Sequence, residues 1–183
     1  MIDHSMKMLF DEHTNIVNAI DAVHHAKRWL GTNDAKYSET VKQLLHFFRN
    51  YADKYHHYKE EEILFPEMSK KNELLADGVI NEMLDNHEDF REMLGSVEED
   101  INLNNFQAAH QTLEKYAELL LEHIAVENDE LFQMAYSLFS DDELERIKYR
   151  FEDCDRELGQ KNKEELVHAA DELRKGFLMD DDI

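Results

Sequence analysis

Apolar residues recur at three- and four-residue intervals along almost the whole chain, and no segment sustains the alternation of a strand. The spacing predicts a first helix from about residue 3 to residue 30, with Met6, Phe10, Val17 and Ile20 on one face. The stretch "GTNDAKY" ends it with glycine and turn residues. A second helix is expected from about Ser38 towards Pro66, the only proline, which should stop or kink it. A third starts near Asp77 and carries Ile80, Met83, Leu84, Phe90 and Leu94. After the turn "NLNN" a fourth starts near Asn104, with Gln107 at the capping-box position, and reaches about Tyr136. Ser140 and Glu143 form another capping box that opens a fifth helix, which Gly159 ends. A last amphipathic helix covers about residues 161–178, and "MDDDI" reads as a frayed tail. Long helices joined by short turns predict an all-α fold, an antiparallel four-helix bundle over about residues 3–137. One or two additional C-terminal helices, at about 140–178, are expected to pack on its end or side within one domain spanning 1–183.

Within this pattern the chain repeats itself around histidine. "HHYKEEEILF" (56–65) lines up with "HIAVENDELF" (123–132), so that His56 matches His123, Glu60 matches Glu127 and Leu64-Phe65 match Leu131-Phe132. "LFDEH" (9–13) likewise resembles "MLDNH" (83–87). Each half is therefore one helix with a short motif ending in histidine, followed by one helix carrying His-x-x-x-Glu. Stepping back from His56 by helical turns meets Ala52, Phe48 and Leu45, an apolar row. Stepping back from His57 meets Asp53, Asn50 and His46, a polar row. His56 and Glu60 are thus expected to point inward, and His57 and Glu61 to face solvent or flank the site. His13, His87, His123 and Glu127 also fall on core-facing rows.

A buried carboxylate is costly unless paired, hydrogen-bonded or bound to a metal. Residues four apart on a helix reach the same ion or two adjacent ions, and imidazole with carboxylate suits iron, manganese or zinc. His13, His56, Glu60, His87, His123 and Glu127 are therefore the candidate metal ligands, with the two glutamates placed to bridge. The alternative is six core polar groups that satisfy one another by hydrogen bonding. Among the other polar residues, His24 is expected to be hydrogen-bonded and partly buried, and His110 and His168 to lie at the surface. Tyr55, Tyr58 and Tyr116 lie near the candidate ligands as core filling, or as hydroxyls able to orient them.

Charge and composition narrow the classes. The formal net charge of −22 opposes binding to nucleic acid or to an anionic membrane, both of which need basic surface. Cys154 is the only cysteine, which excludes an intramolecular disulfide and a cysteine-based zinc or iron–sulfur motif. The start "MIDHSMKMLF" lacks the layout of a signal peptide, and a cytoplasmic location is expected. The most apolar stretch, "YAELLLEHIAV", is broken by Glu118, Glu122 and His123, so no membrane span is expected.

On "LFDEH", "HHYKEEEILFP", "MLDNH" and "HIAVENDELF", taken in order, the chain resembles the haemerythrin-like family, the His-His-Glu cation-binding domain. The resemblance covers about residues 3–137. It implies a four-helix bundle around a non-haem di-iron centre: two iron ions, oxo- or hydroxo-bridged, held by His13, His56, Glu60, His87, His123 and Glu127. Oxygen-carrying members differ, with His-x-x-x-His on the third helix and His-x-x-x-x-Asp on the fourth. Here Arg91 stands four residues after His87, and Glu127 four after His123. The resemblance thus implies one histidine fewer and an open position beside Arg91. That favours a protein that binds or reacts with O2, NO or peroxide in sensing, scavenging or stress response over a reversible oxygen carrier. The rival expectation is a module that stores or senses iron, or holds zinc structurally, without catalysis.

Overall fold

The structure, a computed structural model, describes the backbone of residues 4–180 and the side chains of residues 6–175. Helix α1 (His4–Ala26) leads through a short 3-10 turn (Lys27–Trp29) to Gly31, whose positive φ of 72° turns the chain back. Asn33 then caps α2 (Asp34–Phe47) by accepting from the Lys36 amide, four residues earlier than Ser38. The same helix continues with i→i+5 bonding as two π-helical stretches, Phe48–His57 and Glu60–Leu64, and then as α3 (Phe65–Lys71). Pro66 does not end it. The proline falls in the first turn of α3, where hydrogen bonding changes from π to α register and a missing amide costs little.

After α4 (Glu73–Leu75) and a π-helical stretch (Ala76–Ile80) kinked at Gly78, the chain enters α5 (Asn81–Asn102). Asn104 adopts φ 59° in the turn, so the expected Asn104–Gln107 box does not form, and α6 (Phe106–Val126) starts after Asn105 without a side-chain cap. Helix α6 passes through a π-helical stretch (Glu127–Leu131) into α7 (Phe132–Leu138). Ser140 and Glu143 form their capping box and open α8 (Asp141–Leu158); Gly159, at φ 81°, turns the chain into α9 (Gln160–Asp180). The last residues of the expected frayed tail, 181–183, lie outside the described residues.

Contacts run α1 to α2, α2 to α5, α5 to α6 and α6 back to α1, which closes a four-helix ring. The long helices bury their stripes in two clusters. One, around Val23, Val41, Phe48, Leu94 and Leu120, fills the end near the 27–33 turn. The other, around Leu9, Leu64, Met83, Leu131 and Phe151, fills the opposite end. The charged residues buried between the helices mark the candidate site. Helix α9 packs on α1 and α2, and α8 packs on α1 and the Glu60–Leu64 stretch, so both C-terminal helices cover one side of the ring.

Candidate metal centre

The ring encloses two overlapping groups of donors. His13, His56, Glu60 and Glu127 form one; His57, Glu60, His87 and His123 form the other. Within each, one donor atom per residue lies within 4.8 Å of all the rest. All seven residues are buried. Each glutamate spans both groups. Glu60 Oε1 is 3.6 Å from His56 Nε2 and its Oε2 is 3.7 Å from His87 Nε2. Glu127 Oε2 is 3.2 Å from His13 Nε2 and its Oε1 is 3.2 Å from His123 Nε2.

The inward atoms do not satisfy one another. His13 Nε2, His56 Nε2 and all four oxygens of Glu60 and Glu127 are buried without a hydrogen-bond partner. Buried polar atoms are nearly always paired, so a concentration of orphans facing one space needs a cause. A cation supplies it, because the orphans are the lone-pair donors that iron, manganese or zinc accept. His87 Nε2 and His123 Nε2 also face each other at 3.1 Å, an approach that two neutral lone pairs would avoid without a proton or cation between them. The residues therefore fit a metal pair.

The outward nitrogens tell the opposite story. His13 Nδ1 is 2.8 Å from Asn128 Oδ1, and His56 Nδ1 is 2.9 Å from Glu12 Oε2. His87 Nδ1 is 2.8 Å from Glu61 Oε1, and His123 Nδ1 is 3.4 Å from Asn86 Nδ2. At His13, His56 and His87 a hydrogen donated from Nδ1 to an oxygen fixes the tautomer that leaves Nε2 free for a metal, whereas His123 Nδ1 faces an amide nitrogen, which donates. These contacts obey the internal repeat. Glu12 and Asn86 each precede the motif histidine and hold the histidine of the next helix; Glu61 and Asn128 each follow the buried glutamate and hold the histidine of the partner motif. The repeated phenylalanines match too, with Phe132 stacked on His13 at 5.4 Å and Phe65 on His87 at 6.1 Å.

The electrostatics suit a site built for cations. Burial and the neighbouring Glu127 hold Glu60 well above the usual carboxylate range. Burial also raises Glu127, but His123 and His13 outweigh it and hold this carboxyl well below that range. Burial, with His13 alongside, lowers His56 to about 4, and burial beside His87 puts His57 far below the ordinary imidazole value. Neutral imidazoles are the metal-binding form.

The structure brings together all six residues selected from the sequence and adds His57, which was expected to face solvent or flank the site. His57 is buried, stacked on His87 with ring centroids 3.8 Å apart. The face rule assumed α geometry. In the π-helical run 48–57 each turn holds more residues, so neighbours are separated by a smaller angle and two consecutive histidines turn inward together. Tyr55, His56, His57, Lys59 and Glu60 are all buried, and between residues 55 and 60 only Tyr58 points out. Arg91 does not stand at an open position. Its guanidinium runs outward to Asp53 Oδ1 (2.7 Å) and Glu61 Oε1 (2.5 Å), and the group that was short of a histidine is completed by His57.

Other expectations divide. Tyr116 packs on Phe48 and Phe90 as core, whereas Tyr55 shares a polar network with Glu12. His24 is exposed, bonded to Glu114 at 2.9 Å, and His168 is exposed. His110, expected at the surface, is buried against Tyr37, because α6 begins at Phe106 and turns residue 110 towards the core.

The family model of the Hemerythrin HHE cation binding domain matches residues 4–135. No curated protein and no solved structure matches the chain.

Proposed function

The chain belongs to the hemerythrin HHE cation-binding family, and from that premise we propose that it is a non-haem di-iron protein that binds or reacts with O2, NO or peroxide. His13 and His56 would hold one ion, and His57, His87 and His123 the other, with Glu60 common to both groups and Glu127, in the first, reaching His123 of the second. The observation that supports this most strongly is the set of buried, unpartnered donor atoms that three of the four bundle helices bring to one place. Two ferrous ions, when bound, supply one electron each to an oxidising small molecule. The protein's part is to hold the imidazoles of His13, His56 and His87 in the tautomer that frees Nε2, to neutralise the ions with two carboxylates, and to keep the site dry. The wall of Phe65, Phe90 and Phe132 around the histidines does the last of these. A role in oxidative or nitrosative stress, in a reducing cytoplasmic setting, fits a chain with one cysteine that is buried and not disulfide-bonded.

Metal analysis with an optical spectrum of the aerobically purified protein tests this reading. Two iron ions per chain with the near-ultraviolet absorption of a bridged diferric pair are expected. Two zinc ions and no colour would overturn it in favour of a structural metal site.

A further inference from the structure

One buried ionic network is not needed to complete the donor groups. Glu12 on α1 holds His56 with one oxygen and accepts from Lys59 Nζ with the other, at 2.6 Å. The same ammonium donates to Asp155 Oδ1 on α8, also at 2.6 Å, and to the Tyr55 hydroxyl at 2.8 Å. Lys163 on α9 donates to Tyr55 Oη and lies 3.2 Å from Asp155 Oδ2. Two carboxylates, two ammonium groups and one phenol thus balance in charge across four helical elements. Glu12 and Lys59 are almost completely buried, and burial of an unpaired ammonium or carboxylate is costly.

The C-terminal helices close this network. Asp155 and Lys163 contribute one charge of each sign, so undocking α8 and α9 would leave Glu12 and Lys59 still paired with each other. What it would remove is cover. Phe151 and Cys154 are buried in the cluster that also contains Ile63 and Leu64, and the Lys59 ammonium lies 5.8 Å from the centre of the Phe151 ring. With α8 gone, water would reach Glu12 and compete for its contact with His56 Nδ1. A hydrogen bond in a dry, low-dielectric setting holds its partner more firmly than one exposed to water. The other donor group has no such link: Glu61, which holds His87, is braced by Arg91 at the surface.

We propose that Lys59 and Asp155 are positioning residues for His56, and that through them metal occupancy of the His13/His56 group and docking of the α8–α9 pair are one coupled equilibrium. Metal that immobilises His56 fixes Glu12, Lys59 and in turn Asp155, so the loaded site holds the C-terminal helices more tightly. By reciprocity, anything that lifts α8 and α9 weakens metal at His13/His56 by the same factor. The pair is thereby a reporting arm: occupancy of a buried centre is readable at the protein surface. This inference rests on the metal-centre reading above.

Hydrogen exchange on the full chain, metal-free and after anaerobic loading with ferrous iron, tests both, with iron per chain counted on the same samples. Amides of 141–175 are expected to exchange several-fold more slowly in the loaded protein. In Asp155→Asn, whose side chain keeps its shape and loses its charge, most of that difference should vanish. Affinity at one of the two iron positions should fall about 10- to 100-fold, the range usual for partners that orient a ligand. Arg156→Ala, at an exposed position on the same helix, should behave as the unmodified chain. Two bound irons with unchanged exchange in 141–175 would overturn the coupling and leave the metal centre standing. Protection that persists in full in Asp155→Asn would also overturn it, by showing that apolar packing alone carries the effect. Failure to bind iron would overturn both proposals. If Asp155→Asn does not fold, the comparison of loaded and metal-free natural protein still decides.

Discussion

The two halves of the candidate centre are built on one plan and supported in different ways. Each has a motif histidine from α1 or α5 and a histidine four residues before a buried glutamate. Each has one carboxylate and one amide behind its imidazoles, Glu12 with Asn128 in the first and Glu61 with Asn86 in the second. The difference lies one layer out. Behind Glu12 stands the sealed Lys59–Asp155 network; behind Glu61 stands Arg91, whose side chain is 41% exposed and bonded to Asp53 at the surface. The second half has a third histidine, His57, that the first lacks. A duplicated motif can therefore fix ligand geometry twice while leaving each half its own sensitivity to solvent. We expect the first half to depend on burial and the second on the number of its donors.

The largest change should come from the residue the halves share. Glu60→Ala is expected to drop bound metal from two ions to well under one, read by metal analysis after dialysis. His56→Ala and His57→Ala should each cost about one ion and leave the other; loss of both from either would break the picture of two separable groups. Removing the outer supports should separate the halves more sharply. Lys59→Met leaves Glu12 buried without its ammonium and is expected to destabilise the fold by about 3–5 kcal/mol in denaturant melts. Arg91→Ala touches a half-exposed pair and should cost about 0–1 kcal/mol.

Acid and base should act on the metal-free protein in opposite directions. His56 binds its proton near pH 4 when folded and near 6.5 when unfolded, so its contribution to stability is lost as pH falls through that window. Glu60 is raised when folded, so its contribution is present at low pH and lost as pH rises from about 4.5 through its folded value. Thermal melts in chelator should show the metal-free Glu60→Gln variant more stable than the natural protein at neutral pH. That advantage should shrink as pH approaches 4.5, and an advantage independent of pH would contradict the assignment. The smallest effect concerns Cys154. Burial raises its thiol above the ordinary value, so alkylation at pH 8 should be slower than for a free thiol. It should be slower still in the iron-loaded protein, if α8 is held more tightly there.

Much of this was written in the sequence because a bundle core is periodic and the motif occurs twice. His13, Glu60, His87 and Glu127 fall on apolar rows, and the repeat reinforces each. The paired supports were also legible in principle, as Glu12 and Asn86 occupy matching places in "DEH" and "DNH". His57 was not, because helical stepping presumes i→i+4 bonding and the chain there follows i→i+5. Its counterpart one repeat later is Ile124, so the repeat gave no hint either. Asp155 and Lys163 were hidden for a different reason: Asp155 meets Lys59, and Lys163 meets Tyr55, only after two further helices fold back, and no local pattern encodes a contact across 96 residues.

The π-helical run bears on how relatives of this chain should be aligned. Widening a helix amounts to inserting a residue without making a loop, because the surplus is absorbed as girth. A relative one residue shorter opposite 48–57 would then have a narrower helix rather than a missing part, and its sequence would need a gap inside an unbroken rod. Placing that gap in the nearest turn instead would shift every position between the turn and the run by one. A gap of that kind would mark a helix that aims one side chain fewer at the candidate centre.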